Sequence, residues 1–84
     1  MNSKQRKTLQ LIFSDPINGN IEWNKIEALF RSLGCAVYEK DGSAVAFCKQ
    51  GQSVHFHRPH PQRAAQRYRI KAAREFLIKI GVTP

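Results

Sequence analysis

Apolar residues along this chain recur first at steps of three and four, then at steps of two, then at three and four again. In residues 3–13, Leu9, Ile12 and Phe13 follow the basic start SKQRK, and SDPINGN, with Pro16 and Gly19, breaks the pattern. A first short helix is expected there. Next, Ile26, Leu29, Phe30 and Leu33 share one face while Glu22, Lys25, Glu27 and Arg31 take the other, which predicts an amphipathic second helix. Asn20 is its expected cap, and Gly34 stands where a left-handed stop is wanted.

From Cys35 the period falls to two, and the glycine turns KDGS and KQGQ separate three short runs, the pattern of a three-stranded antiparallel meander. Side chains alternate across a strand, so Val45, Phe47, Val54 and Phe56 are expected to face the helices, and His55 and His57 to face away. Pro59 and Pro61 lack a ladder donor; they end the strand and hold His60 in a turn. The remainder, QRAAQRYRIKAAREFLIKIG, predicts a long last helix that buries Ile70, Ala73, Leu77 and Ile80, with Phe76 at the edge of the stripe and Gly81 as its stop. The order α-α-β-β-β-α makes an α+β fold, a meander covered on one face by helices. At this length, residues 1–84 form a single domain with one modest core and no deep, walled cavity.

Charge changes the picture. Fourteen Lys and Arg stand against six Asp and Glu, for a net +8, and residues 49–84 carry eight of the cations against Glu75 alone. Such a polarised field attracts polyanions, nucleic acid ahead of anionic membrane. Arg63, Arg67, Lys71 and Arg74 follow at steps of four, four and three, which predicts a basic ridge along the last helix suited to an RNA phosphate backbone. The helix N-terminus just after Pro61 would add backbone donors, and Arg58 is expected to join Arg63 in holding a phosphate. The plainer alternative is a solvated helix face carrying an internal Lys71–Glu75 pair. Tyr68 is the stacking candidate on this helix, with packing as its first expectation.

The stretch VHFHRPHP holds all three histidines. An imidazole can take a proton from a 2′-hydroxyl and a second can return one to the leaving oxygen, a route to RNA cleavage that requires no metal or other cofactor. His57 and His60, at the strand end and in the turn, are the expected catalytic pair because they alone reach a phosphate at the foot of the basic helix; His55 lies farther back. For His60 a structural role, bonding to backbone in the proline turn, is the alternative. A metal site is disfavoured, since no Asp or Glu occurs between Asp41 and Glu75 to complete a ligand set. Cys35 and Cys48 lack a C-x-x-C spacing and read as reduced packing residues. The apolar stretch near the N-terminus is far too short to span a membrane, so a cytoplasmic location is expected.

Taken together, IEWNKIEALFRSLG, DGS, FHRPHP and AREFLIKIGVTP resemble the HicA family of small toxins from bacterial toxin-antitoxin pairs, over roughly residues 5–84. The resemblance implies a double-stranded-RNA-binding-domain-like fold, metal-independent mRNA cleavage that inhibits translation and growth, and neutralisation by a HicB-like antitoxin. Many members follow the glycine-serine pair with a catalytic histidine, whereas Gly42 and Ser43 are followed here by Ala44. Three readings of that departure stand: a subfamily that uses the HFHRPH histidines, a natural non-cleaving binder, or a chain deliberately inactivated. The same charges and fold would also serve a non-catalytic double-stranded-RNA-binding or ribosome-associated module. A DNA-binding regulator using the second helix is disfavoured by the acidic residues there.

Overall fold

A computed structural model describes residues 1–84. The elements follow the expected order: α1 (Ser3–Ile12), α2 (Trp23–Ser32), β1 (Ala36–Glu39), β2 (Ala44–Lys49), β3 (Gln52–His57) and α3 (Arg67–Lys79). The strands form one antiparallel sheet in the order β1-β2-β3. Between β2 and β3, Gln50 and Gly51 both adopt positive φ, 53° and 75°. That is the demand of a two-residue hairpin turn whose twist matches the flanking strands. The turn fixes a register in which Phe47 faces Val54, Ala46 faces His55 and Ala44 faces His57.

The inner face of the sheet carries buried Val45, Phe47 and Phe56, covered by Trp23, Ile26, Leu29 and Phe30 of α2 and by Ile70, Ala73 and Leu77 of α3. Phe30 is the hub: its ring centroid lies 4.9 Å from that of Phe47, 5.4 Å from Phe76 and 6.3 Å from Phe56. Phe76 is therefore no edge residue. It is 2% exposed, because α2 packs its largest apolar ring against that side of α3.

The last helix starts at Arg67 rather than at Gln62, and Asn20 does not cap α2. Both differences share one cause. Residues 61–66 form a strap bonded antiparallel to residues 19–24, with Asn24 N–H donating to the Pro61 carbonyl and Trp23 N–H to that of Arg63, each at 2.9 Å. Ala65 N–H donates to Ile21 at 2.7 Å and Gln66 N–H to Gly19 at 2.9 Å. The first N–H groups of a helix have no partner within it. Glu22, at the cap position of α2, makes no side-chain capping bond, and the strap's carbonyls take its place. A helix over 62–66 would withdraw those carbonyls and lift Ala65 out of the core, where it is fully buried.

Gly19 permits this close approach: a Cβ there would lie 2.9 Å from the backbone nitrogen of Arg67. Gly19→Ala is expected to cost about 1–3 kcal/mol through this overpacking, seen as a lower Tm by circular dichroism. An unchanged Tm would show that the strap does not need the contact.

Candidate nucleic-acid interface

Two of the five cations expected to meet phosphate are occupied inside the protein. Arg58 follows the last residue of β3 and falls on the inner side of the alternation, where Nε donates to Glu27 at 2.7 Å and Nη2 to Glu39 at 2.8 Å. Glu27 also accepts from the Trp23 indole. The two carboxylates raise the Arg58 pKa above the ordinary guanidinium range, and hydrogen bonding from Arg58 holds the Glu39 carboxyl below its usual value. Arg74 turns from α3 to the C-terminus of α1, donating from Nε to the Ile12 carbonyl at 2.9 Å and from Nη2 to that of Ser14 at 2.7 Å, with Asp15 at 3.3 Å from Nη1. It caps a helix whose last carbonyls need donors.

The remaining three are free of carboxylates. Arg63 lies on the strap, off the helix, while Arg67 and Lys71 are exposed on α3. None has an ion-pair partner, and no Lys71–Glu75 pair forms. The ridge thus shrinks to Arg67 and Lys71, flanked by Arg63.

The structure adds a cation that the spacing argument passed over. Arg69 Nε donates to the His57 carbonyl at 3.1 Å and Nη1 to the Ala65 carbonyl at 3.0 Å. These partners orient the guanidinium without neutralising it, and its carbon lies 4.6 Å from the centroid of the Tyr68 ring. Spacing does not single out Arg69, because Lys71 is equally adjacent to buried Ile70 and is exposed; the bond to the His57 carbonyl is what brings Arg69 to the end of β3. Pro59, His60, Arg63, Gln66, Tyr68 and Arg69 line an open hollow of about 420 Å³. Tyr68, expected to pack, is 63% exposed there.

The histidines divide. His57 projects from the outer face of the sheet, with its Nδ1 at 3.5 Å from the Ser43 hydroxyl and Ala44 as its direct cross-strand partner. His60 belongs to the hollow, where its Nδ1 accepts from the Gln62 N–H at 3.3 Å. His60 therefore has both the backbone bond of its structural reading and a place beside Arg63 and Arg69. His57 and His60 are joined through Arg69, which holds the carbonyl of one and shares the hollow of the other. His55 is exposed two residues back on the outer face.

No protein-family model, curated protein or solved structure matches this chain. No three His, Cys, Asp or Glu side chains come together in a grouping that would hold a metal ion. Both cysteines are free thiols, and burial raises the pKa of Cys35. No helix is long and apolar enough to cross a membrane.

Proposed function

We propose that the protein binds RNA at this carboxylate-free surface and cleaves it with His57 and His60, as a HicA-like toxin on a double-stranded-RNA-binding-domain-like fold, restrained by an acidic, HicB-like partner. The observation that carries the reading is Arg69, a guanidinium with no carboxylate partner, fixed between the carbonyl of His57 and the hollow that contains His60. A phosphodiester bound by Arg69 and Arg63 would have the His60 imidazole beside it in the hollow and the strand end that carries His57 next to Arg69.

The hydrogen bonds suggest the roles. With Nδ1 of His60 accepting from the Gln62 N–H, the neutral ring keeps its proton on Nε2; the donor to the leaving 5′-oxygen would be the imidazolium form of His60, in which Nδ1 has taken a proton and given up that bond. The Ser43 hydroxyl can accept the Nδ1 proton of His57, which leaves Nε2 of His57 with a lone pair for the 2′-hydroxyl proton. The 2′-oxygen then attacks phosphorus, a 2′,3′-cyclic phosphate forms, and the P–O5′ bond breaks as His60 protonates O5′.

One observation favours a second reading, RNA binding without cleavage as in a double-stranded-RNA-binding or ribosome-associated module: the position opposite His57, where the resemblance places a catalytic histidine, holds Ala44. Incubation of the purified chain with labelled mRNA in EDTA separates the two. Cleavage supports the toxin, retention without cleavage supports the binder, and the absence of retention overturns both.

The antitoxin is expected to cover the same cations, since complementary charge both steers association and blocks RNA. Charge reversal at Arg67 and Lys71 should weaken RNA binding, flatten its salt dependence by about one and a half units of slope, and slow association with the antitoxin. If RNA binding falls while antitoxin association keeps its rate and salt dependence, the two surfaces are separate.

A further inference from the structure

We propose that the outer face of the sheet is a stacking platform for unpaired bases, so that the RNA bound is a single strand rather than a duplex; this rests on the RNA-binding reading above. The register lines up Tyr38 of β1, Ala46 of β2 and His55 of β3 in one row across that face. Tyr38 is 56% exposed, whereas Ala46 between the two rings is only 3% exposed. Direct cross-strand neighbours on one face lie close enough for large side chains to cover a small one between them, so a methyl flanked by two rings makes a low, flat floor. The neighbouring row repeats the pattern, with small Ala44 beside the ring of His57.

Charge agrees with this occupant. The outward positions of the strands, Ala36, Tyr38, Ala44, Ala46, Cys48, Ser53, His55 and His57, include no carboxylate. The one acid within a strand, Glu39, alternates to the inner side and is held by Arg58. The row of rings also leads toward the cations: His57 ends β3, Arg69 grips its carbonyl, and exposed Tyr68 lies against Arg69 in the hollow. A strand stacked on Tyr38 and His55 would thus pass His57 and bring its phosphates to Arg69 and Arg63.

A duplex fits less well. Its bases are already stacked on each other, so exposed Tyr38, Tyr68 and His55 would gain nothing from it, and sequestration of Arg58 and Arg74 leaves no long ridge to follow its backbone. Stacking on an aromatic ring requires a free base face and is tolerant of sequence.

The test compares an unstructured labelled oligouridine with a perfectly paired RNA duplex of equal length, by fluorescence anisotropy in EDTA with the full chain. The single strand is expected to bind at least about tenfold more tightly, and Tyr38→Ala to weaken it about five- to hundredfold with little change in salt slope. Tyr38→Phe should retain parental affinity, because the ring and not the hydroxyl is used, and circular dichroism should show both variants folded. Equal or tighter duplex binding, or an unchanged Kd for Tyr38→Ala, overturns the platform while leaving RNA binding in place. Failure to bind either RNA overturns the RNA reading itself and the platform with it.

Discussion

His57→Ala and His60→Ala are each expected to lower RNA cleavage about 10²- to 10⁴-fold at saturating RNA, the usual worth of one positioned acid or base, while RNA retention and Tm stay nearly unchanged. Neither ring is buried, so truncation opens no cavity. Both residues keep the backbone groups that build the site, the His57 carbonyl that orients Arg69 and the His60 carbonyl that accepts from Arg63 N–H at 2.9 Å. His55→Ala should leave the saturated rate intact, since that ring lies back along the strand from Arg69. A lost phosphate contact reads differently, as weaker binding with a flatter salt dependence. Single-turnover rates set beside anisotropy therefore separate chemistry from binding. Ala44→His supplies the contrast, because it places an imidazole directly across the ladder from His57. If the parent is inert and Ala44→His cleaves RNA even with His57 and His60 replaced, the assignment fails, and the cluster is a turn-forming, phosphate-positioning element.

Arg58→Ala is expected to destabilise the fold by about 2–3 kcal/mol, somewhat below the cost of breaking a fully buried pair because the Arg58 side chain still meets water. Truncation leaves the Glu27 side chain, 15% exposed, with a buried charge and only the indole of Trp23 and the longer contact to Arg31 at 3.6 Å. For a domain of this size that corresponds to a Tm lower by roughly 10–20 °C. Arg58→Lys should recover only part of the loss, since an ammonium cannot serve two carboxylates in the planar, forked manner of a guanidinium.

The same ion pair predicts an acid limb. The Glu39 pKa is lowered in the fold by hydrogen bonding from Arg58, against an ordinary value of 4.5. Its contribution is therefore fully present above that value and is lost as the pH falls through the lowered one. Glu39→Gln should flatten the decline in Tm below about pH 4.5, the start of the window set by the ordinary carboxyl value. An acid limb identical to the parent's would mean that the Arg58–Glu39 contact adds nothing. RNA binding gives an independent check on Arg58. At a temperature where Arg58→Ala is folded, its salt slope should match the parent's, whereas a phosphate-binding Arg58 would lower it by about one unit.

How much of this was legible in the chain divides along a physical line. Periodicity encodes which side of an element is apolar, and burial follows it: the change of period at Cys35, the left-handed stop at Gly34 with φ 80°, the turn at Gly51, and the outward alternation of His55 and His57 all stand in the structure. The order α-α-β-β-β-α follows from the same local signals. What spacing does not carry is the identity of distant partners. Arg58 meets acids 19 and 31 positions earlier, and Arg74 meets carbonyls about sixty positions earlier, so the residues that looked like members of a phosphate ridge are spent on holding α2 to the sheet and α3 to α1.

The start of α3 was hidden for the same reason. QRAAQ has ordinary helix-compatible residues, but the unpaired N–H groups of α2, some forty residues earlier in the chain, draw residues 61–66 into a strap. Arg69 gained its place only once that strap and the end of β3 supplied two carbonyls within reach. The sequence alone determined which faces are apolar and where the charge lies. Tertiary structure decided which charges remain free, because an ion pair depends on distance in space, and that distance is set by the packing of elements far apart in the chain.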